Sequence, residues 1–125
     1  MKYEKFEELP VWQSAPGVTK IIYDLTANSM WSKDFGLRDQ IRRAIISVSS
    51  NIVEGFEKNN NNEFIRFLRM SKGSAGEARS QLHIAQTVGY ISEEEFESTN
   101  SKLEDLAKQI GGFIIYLDKF RKNNP

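Results

Sequence analysis

Proline occurs at only three positions, Pro10, Pro16 and Pro125. The chain from Gly17 to Asn124 is therefore free of the residue that most strongly breaks a helix. From Val11 onward apolar side chains recur at spacings of three and four, the period of one helix face. Val11, Ala15, Val18, Ile22 and Leu25 do so first, followed by Leu37, Ile41, Ala44, Ile45, Val48, Ile52 and Phe56. Phe64, Phe67, Leu68, Ser71, Ala75, Ala78, Leu82 and Ala85 form a third stripe. Leu103, Leu106, Ile110, Phe113, Leu117 and Phe120 form a fourth. The spacing predicts helices over roughly residues 10–29, 37–57, 62–89 and 92–121.

The punctuation between them is local chemistry. Lys58-Asn59-Asn60-Asn61-Asn62 reads as a turn, because Asn side chains bond their own backbone in competition with helix. Gly55 is placed to help end the second helix, and Gly89 to end the third. Ser92 with Glu95 three residues on is a capping box, and Glu93 to Glu97 put acids at the positive end of the fourth helix. Lys119, Arg121 and Lys122 fall at its negative end, and Asn123 to Pro125 read as a frayed tail. Pro16-Gly17 predicts a kink in the first helix, or a late start with Ser14 as N-cap. No Asn-Gly or Asp-Gly hairpin signal occurs. The expected fold is all-α, an antiparallel up-down four-helix bundle occupying residues 1–125 as one domain.

Composition narrows the function. Seventeen basic residues balance seventeen acidic ones, and the pI is about 6.6, so the chain is not a generally basic nucleic-acid binder. The absence of cysteine removes disulfides, thiol nucleophiles and thiolate metal sites, and a single histidine removes a His-rich one. No cofactor or metal is expected. No apolar run approaches the roughly 20 residues that span a bilayer. The first residues carry no secretory signal, so a cytoplasmic protein is expected.

Three polar or apolar features exceed what a plain bundle needs. Gln40, Arg43, Ser47, Asn51 and Glu54 share a strip beside the apolar face of the second helix, with Ser50 at its edge. Gly73-Ser74-Ala75-Gly76-Glu77, with Arg79 beyond, is the candidate partner on the third. The favoured reading is a hydrogen-bond network where two helices approach closely at Gly73 and Gly76. The minor reading makes Glu54 and Glu77 a general acid and base. Second, the middle helices carry the excess cations, Arg38, Arg42, Arg43, Arg66, Arg69, Lys72 and Arg79. Six of these seven are Arg, which suits bidentate pairing with phosphate or carboxylate, so they are candidate contacts to RNA or DNA. Third, Ile46, Val53, Met70, Ile84, Val88, Ile114 and Ile115 lie off the main stripes, and surplus apolar surface of this kind points to self-association.

Several stretches resemble the 23S rRNA-intervening-sequence protein family, a four-helix-bundle family also called S23-type ribosomal proteins. They are Phe6–Trp12, Phe35–Ala44, Ser47–Gly55, Gly73–Glu77 and Gly89-Tyr90-Ile91. The resemblance covers nearly the whole chain. It implies an antiparallel bundle assembling as a ring of five subunits, with no enzymatic activity. Asn51, Glu54, Gly55, Gly73, Ser74 and Glu77 carry over as a structural signature. A similar fold serves as the accessory protein of diversity-generating retroelements, which binds a reverse transcriptase and nucleic acid. The implied partners are therefore further copies of the chain, RNA or DNA, or such a protein. A ring-shaped protein-interaction scaffold without nucleic-acid binding is the alternative. Pro16-Gly17 departs from the continuous first helix of the family.

Overall fold

The structure, a computed structural model, describes residues 2–123, with side chains to residue 120. The side chains of Arg121 and Lys122, and the tail residues Asn124 and Pro125, lie outside the described residues. Among the described residues five α-helices follow one another: α1 (Pro10–Gln13), α2 (Ala15–Thr26), α3 (Phe35–Glu57), α4 (Asn61–Thr87) and α5 (Glu93–Asn123). Short 3-10 turns occupy Phe6–Glu8 and Trp31–Lys33. Among the described residues there is no strand, and no helix is long and apolar enough to cross a membrane.

α3 packs along α4, α4 along α5, and α2 bridges α3 and α5, so the helices enclose one core. Ile22, Ile41, Ile45, Ile52, Leu68, Leu82, Leu103 and Leu106 are buried there, each from one of the apolar stripes. The sequence-expected helices are all present, and the first is interrupted. Pro16 has no N–H to donate back to Trp12, and its ring opposes a straight run through that position. The interruption falls at Ser14, which is itself helical (φ −78°, ψ −20°) and caps nothing. Its hydroxyl instead donates to Pro10 O at 3.2 Å and to Gln109 Oε1 on α5 at 2.8 Å. A new helix therefore starts directly after Ser14, as the late-start alternative has it, but without the side-chain cap expected of Ser14.

Helix ends follow local rules. Glu95 N–H donates to Ser92 Oγ at 3.0 Å while Ser92 N–H donates to Glu95 Oε1 at 2.9 Å, the expected capping box. Gly89 (φ +85°) ends α4 as anticipated, because a left-handed residue there costs glycine nothing. Gly55 does not end α3. The left-handed residue of the α3–α4 turn is Asn59 (φ +54°). A Cβ on Gly55 would lie 2.7 Å from Phe67 Cβ and 2.9 Å from Phe64 Cδ1. At Gly55 α4 is packed directly against α3, a packing requirement rather than a stop.

The opposite end is stitched through Asn28, Asp34 and Tyr90. Asn28 Oδ1 accepts from Met30 N–H and Trp31 N–H, and its amide donates to Tyr90 O at 3.0 Å. Asp34 Oδ1 accepts from Leu37 N–H, capping α3, and Oδ2 accepts from the Tyr90 hydroxyl at 2.9 Å. That bond to a carboxylate pushes the Tyr90 phenol above its ordinary pKa.

Candidate functional site

Three contacts set the register of α3 against α4. The buried Ser71 hydroxyl donates to Val48 O at 2.8 Å, Gly55 meets Phe67, and Gln81 Nε2 donates to Gln40 Oε1 at 3.5 Å. Arg43 consequently lies across from Glu77, and Glu54 close enough to Arg66 to favour its charged form. The polar strip of α3 thus does face the motif of α4. Gln40, Arg43, Ala44 and Ser47 from α3, with Glu77 and Gln81 from α4, line an open groove of about 390 Å³.

The strip is not the buried network expected of it. Asn51 Nδ2 donates to Ser47 O within its own helix at 2.9 Å. Glu54 and Glu77 are exposed and make no hydrogen bond to a described residue. Only Ser71 and the Gln40–Gln81 pair tie the helices with polar side chains, and Gln81 Oε1 is buried without a partner among the described residues. Nor do the two carboxylates meet. One faces the level of Arg66 and the other lies eleven residues further along α4. At 1.5 Å per residue that is about 16 Å along the axis. Acid–base carboxylate pairs of glycosidases work at about 5–9.5 Å, so this separation holds no such pair.

Gly73 and Gly76 correct a second expectation. A Cβ on either would meet no described atom within 4 Å, so neither glycine is pressed against another helix of the chain. Both are exposed on α4, and Gly73 belongs to an exposed strip, with Gly76 beside it. Arg66, Met70, Gly73, Glu77, Ser80 and Ile84 alternate at spacings of four and three, and every one is exposed. That is the spacing of one helix face, here the face turned away from the core, with Met70 and Ile84 as its apolar members. Of the surplus apolar residues, Ile46, Met70, Ile84, Val88 and Ile115 are exposed, between 45% and 61%, while Val53 and Ile114 are half-buried. Phe35, at 65%, is an exposed ring outside that set.

The seven cations do not form one stripe. Arg38 donates to Asp39 Oδ1 at 2.9 Å and to Ser32 O, and holds the Asp39 carboxyl below its ordinary pKa. Arg42 donates to Thr26 Oγ1 at 2.8 Å and lies over the Tyr23 ring, fastening α3 to α2. Arg66 grips Glu63 through two hydrogen bonds, lowering that carboxyl's pKa, and covers Phe67. Arg79 reaches across to Asn100 and Glu104 of α5. Arg43, Arg69 and Lys72 are exposed and have no ion pair with a described residue. Arg43 lies in the α3–α4 groove, and Lys72 lies on the α5 side of α4, beside Gly111. Among the described residues no group of His, Asp and Glu is placed to hold a metal, and His83 is exposed and rests on the Phe96 ring.

Sequence reasoning missed Asp34. An Asp directly before the first helical residue is an N-cap signal, and it would have moved the start of α3 to Phe35. It also missed Tyr3, whose edge packs on Phe113 of α5 across most of the chain's length in sequence, a contact no local pattern carries.

The comparisons with known proteins agree with this geometry. A crystal structure of a protein of unknown function from the S23 ribosomal protein family of Bacteroides thetaiotaomicron superposes with a TM-score of 0.76 at 25% identity. The match covers 83% of this chain and 97% of that one. Among curated proteins no sequence matches. The model of one family, the 23S rRNA-intervening sequence proteins, matches residues 7–112. The chain belongs to the 23S rRNA-intervening sequence protein family.

Proposed function

We propose that the protein is a non-enzymatic scaffold that works as a homo-oligomer, its subunits meeting along the outer face of α4 and the α3–α4 groove. The observation that carries this reading is the open space over Gly73 and Gly76. A glycine inside a helix costs about 1 kcal/mol relative to alanine, and nothing within the subunit requires either one. A helix from a second subunit gives them a role, because glycines on an exposed face let another backbone approach closely. Met70 and Ile84 supply apolar area to that contact, and Arg43, Glu54 and Glu77, which make no ion pair with a described residue, supply charges of both signs to set its register. A closed ring of five is the form this assembly takes by resemblance to the family. The separation of Glu54 from Glu77 supports the absence of catalysis.

Sedimentation of the purified protein tests the reading. The expected result is a single oligomer, with Gly73→Leu reduced to monomer while its helical circular dichroism is retained. A wild-type monomer at working concentration refutes it.

A second reading, binding of RNA or DNA, draws on Arg43, Arg69 and Lys72, which remain unpaired and would be repeated in every subunit. Binding through them would weaken steeply with salt, since each neutralised phosphate releases counterion. Arg69→Glu with Lys72→Glu should then reduce the salt slope. Affinity for structured RNA and duplex DNA that is unchanged in this double variant removes the second reading.

A further inference from the structure

The α4 face of the proposed homo-oligomer needs a counterpart. A face that meets its own copy makes an isologous contact, which closes at two subunits. A ring joins two different faces head to tail. The charge of the chain separates these two cases.

α2 and α4 each pack against both α3 and α5, so the α2–α5 side of the bundle lies opposite the α3–α4 side. Residues 35–89, which carry α3 and α4, hold eight basic and five acidic residues. The rest of the chain holds nine basic and twelve acidic residues. The zero net charge is thus a balance between a half at +3 and a half at −3. Arg43 and Arg69 on the first half make no ion pair with a described residue, and neither do the exposed Glu7, Glu97 and Asp105 on the second. Contact of the α3–α4 side with itself sets like charge against like. Contact with the opposite half pairs unlike charges, which favours head-to-tail joining.

The α2–α5 side is also an incompletely filled seam. Two cavities, of about 460 and 250 Å³, lie along it and share Ser14 and Gln109, whose side chains bond across the seam at 2.8 Å. The buried Val11, Val18 and Leu106 and the half-buried Tyr3, Ile21 and Phe113 line them, and Lys102 and Asp105 line the smaller one. Gly17 also lines the smaller cavity, and a Cβ there would meet no described atom within 4 Å. Between Lys102 and Phe113 the groove follows α5 for eleven residues, about 16 Å. The exposed α4 strip from Met70 to Ile84 runs fourteen residues, about 21 Å, long enough to fill it.

We propose, resting on the homo-oligomer above, that the α2–α5 groove is the docking surface for the outer face of α4 from a second copy of the chain. The contact is an amphipathic helix laid into a groove. The apolar lining receives Met70 and Ile84, and the unlike charge of the two halves sets the direction in which subunits follow one another.

Two variants, each blocked on one face, test it by sedimentation. Gly73→Leu obstructs the α4 face and leaves the groove intact. Gly17→Phe fills the groove and leaves the α4 face intact. Each alone is expected to be a monomer. An equimolar mixture is expected to give a heterodimer and nothing larger, because one complementary pair of faces survives. Asp105→Lys, an exposed change, should weaken self-association of the otherwise unaltered chain about tenfold, and decides the matter if Gly17→Phe loses its helical circular dichroism. If Gly73→Leu is a monomer while Gly17→Phe and Asp105→Lys assemble as wild type does, the homo-oligomer stands and the groove is not its second face. Assembly that persists in Gly73→Leu but is lost in Gly17→Phe overturns the pairing of the groove with α4. A mixture that stays monomeric overturns head-to-tail docking, and a wild-type monomer overturns both this proposal and the homo-oligomer.

Discussion

Replacing Gly55 by alanine puts a methyl carbon 2.7 Å from Phe67 Cβ and 2.9 Å from Phe64 Cδ1. The Phe64 ring can rotate a little. Phe67 Cβ cannot, because it is fixed to its own backbone, and Phe64 Cα lies only 3.3 Å away as well. Relief to an ordinary carbon contact of about 3.6 Å therefore requires α4 to retreat from α3 by about 1 Å. Overpacking of this kind costs about 1–3 kcal/mol, and a clash with backbone-fixed atoms belongs at the upper end. Helix propensity gives back about 1 kcal/mol. The net expectation is a loss of about 2 kcal/mol. With about 2.1 cal/mol/K of unfolding entropy per residue, a chain of this length loses about 8 °C in Tm. Thermal and urea melts followed by circular dichroism at fixed protein concentration measure it. Gly76→Ala is the internal control, since its methyl meets no described atom within 4 Å. In urea at low protein concentration it should be neutral or stabilise by up to about 1 kcal/mol. A Gly55→Ala protein as stable as wild type would mean that propensity outweighs packing there and would refute the close approach of α3 to α4.

Asn28→Ala removes the acceptor of two backbone N–H groups and the donor to Tyr90 O, so a loss of about 2 kcal/mol is expected, read as a red shift of Trp31 fluorescence at lower urea. The raised Tyr90 pKa makes a signed prediction about alkali. The phenol ionises more readily in the unfolded chain, so its stabilising bond is fully present below the ordinary tyrosine value of about 10 and is lost as pH rises through the folded value. Urea midpoints should fall above that pH in wild type and less in Tyr90→Phe; parallel profiles would refute the Asp34 bond. Asp39 and Glu63 are lowered by Arg38 and Arg66, so their contribution is present above about pH 4 and fades as pH falls through their folded values. Asp39→Asn with Glu63→Gln should flatten the acid limb of the same urea series, and an unaltered limb would assign acid sensitivity to other groups.

What could be read in the sequence concerns residues close together along it. The 3.6-residue period placed the helices, the Ser92–Glu95 box and Gly89 placed two of their ends, and Pro16 placed the break in the first, because each acts within one or two turns of backbone. The surplus apolar residues were legible for the same reason, since a second stripe on a helix is visible from its own spacing. Glycine was not legible in this way. Gly55 and Gly73 look alike in a helical pattern, yet one is pressed against Phe67 and the other opens on empty space. Only the placement of α4 beside α3 separates them. The arginines repeat the lesson: Arg42 bonds Thr26 and Arg79 pairs with Glu104, partners on other helices, while Arg43 lies in the groove with no ion pair to a described residue. A side chain's own chemistry states what it can bind, and the packing of helices distant in sequence decides what comes within reach of it.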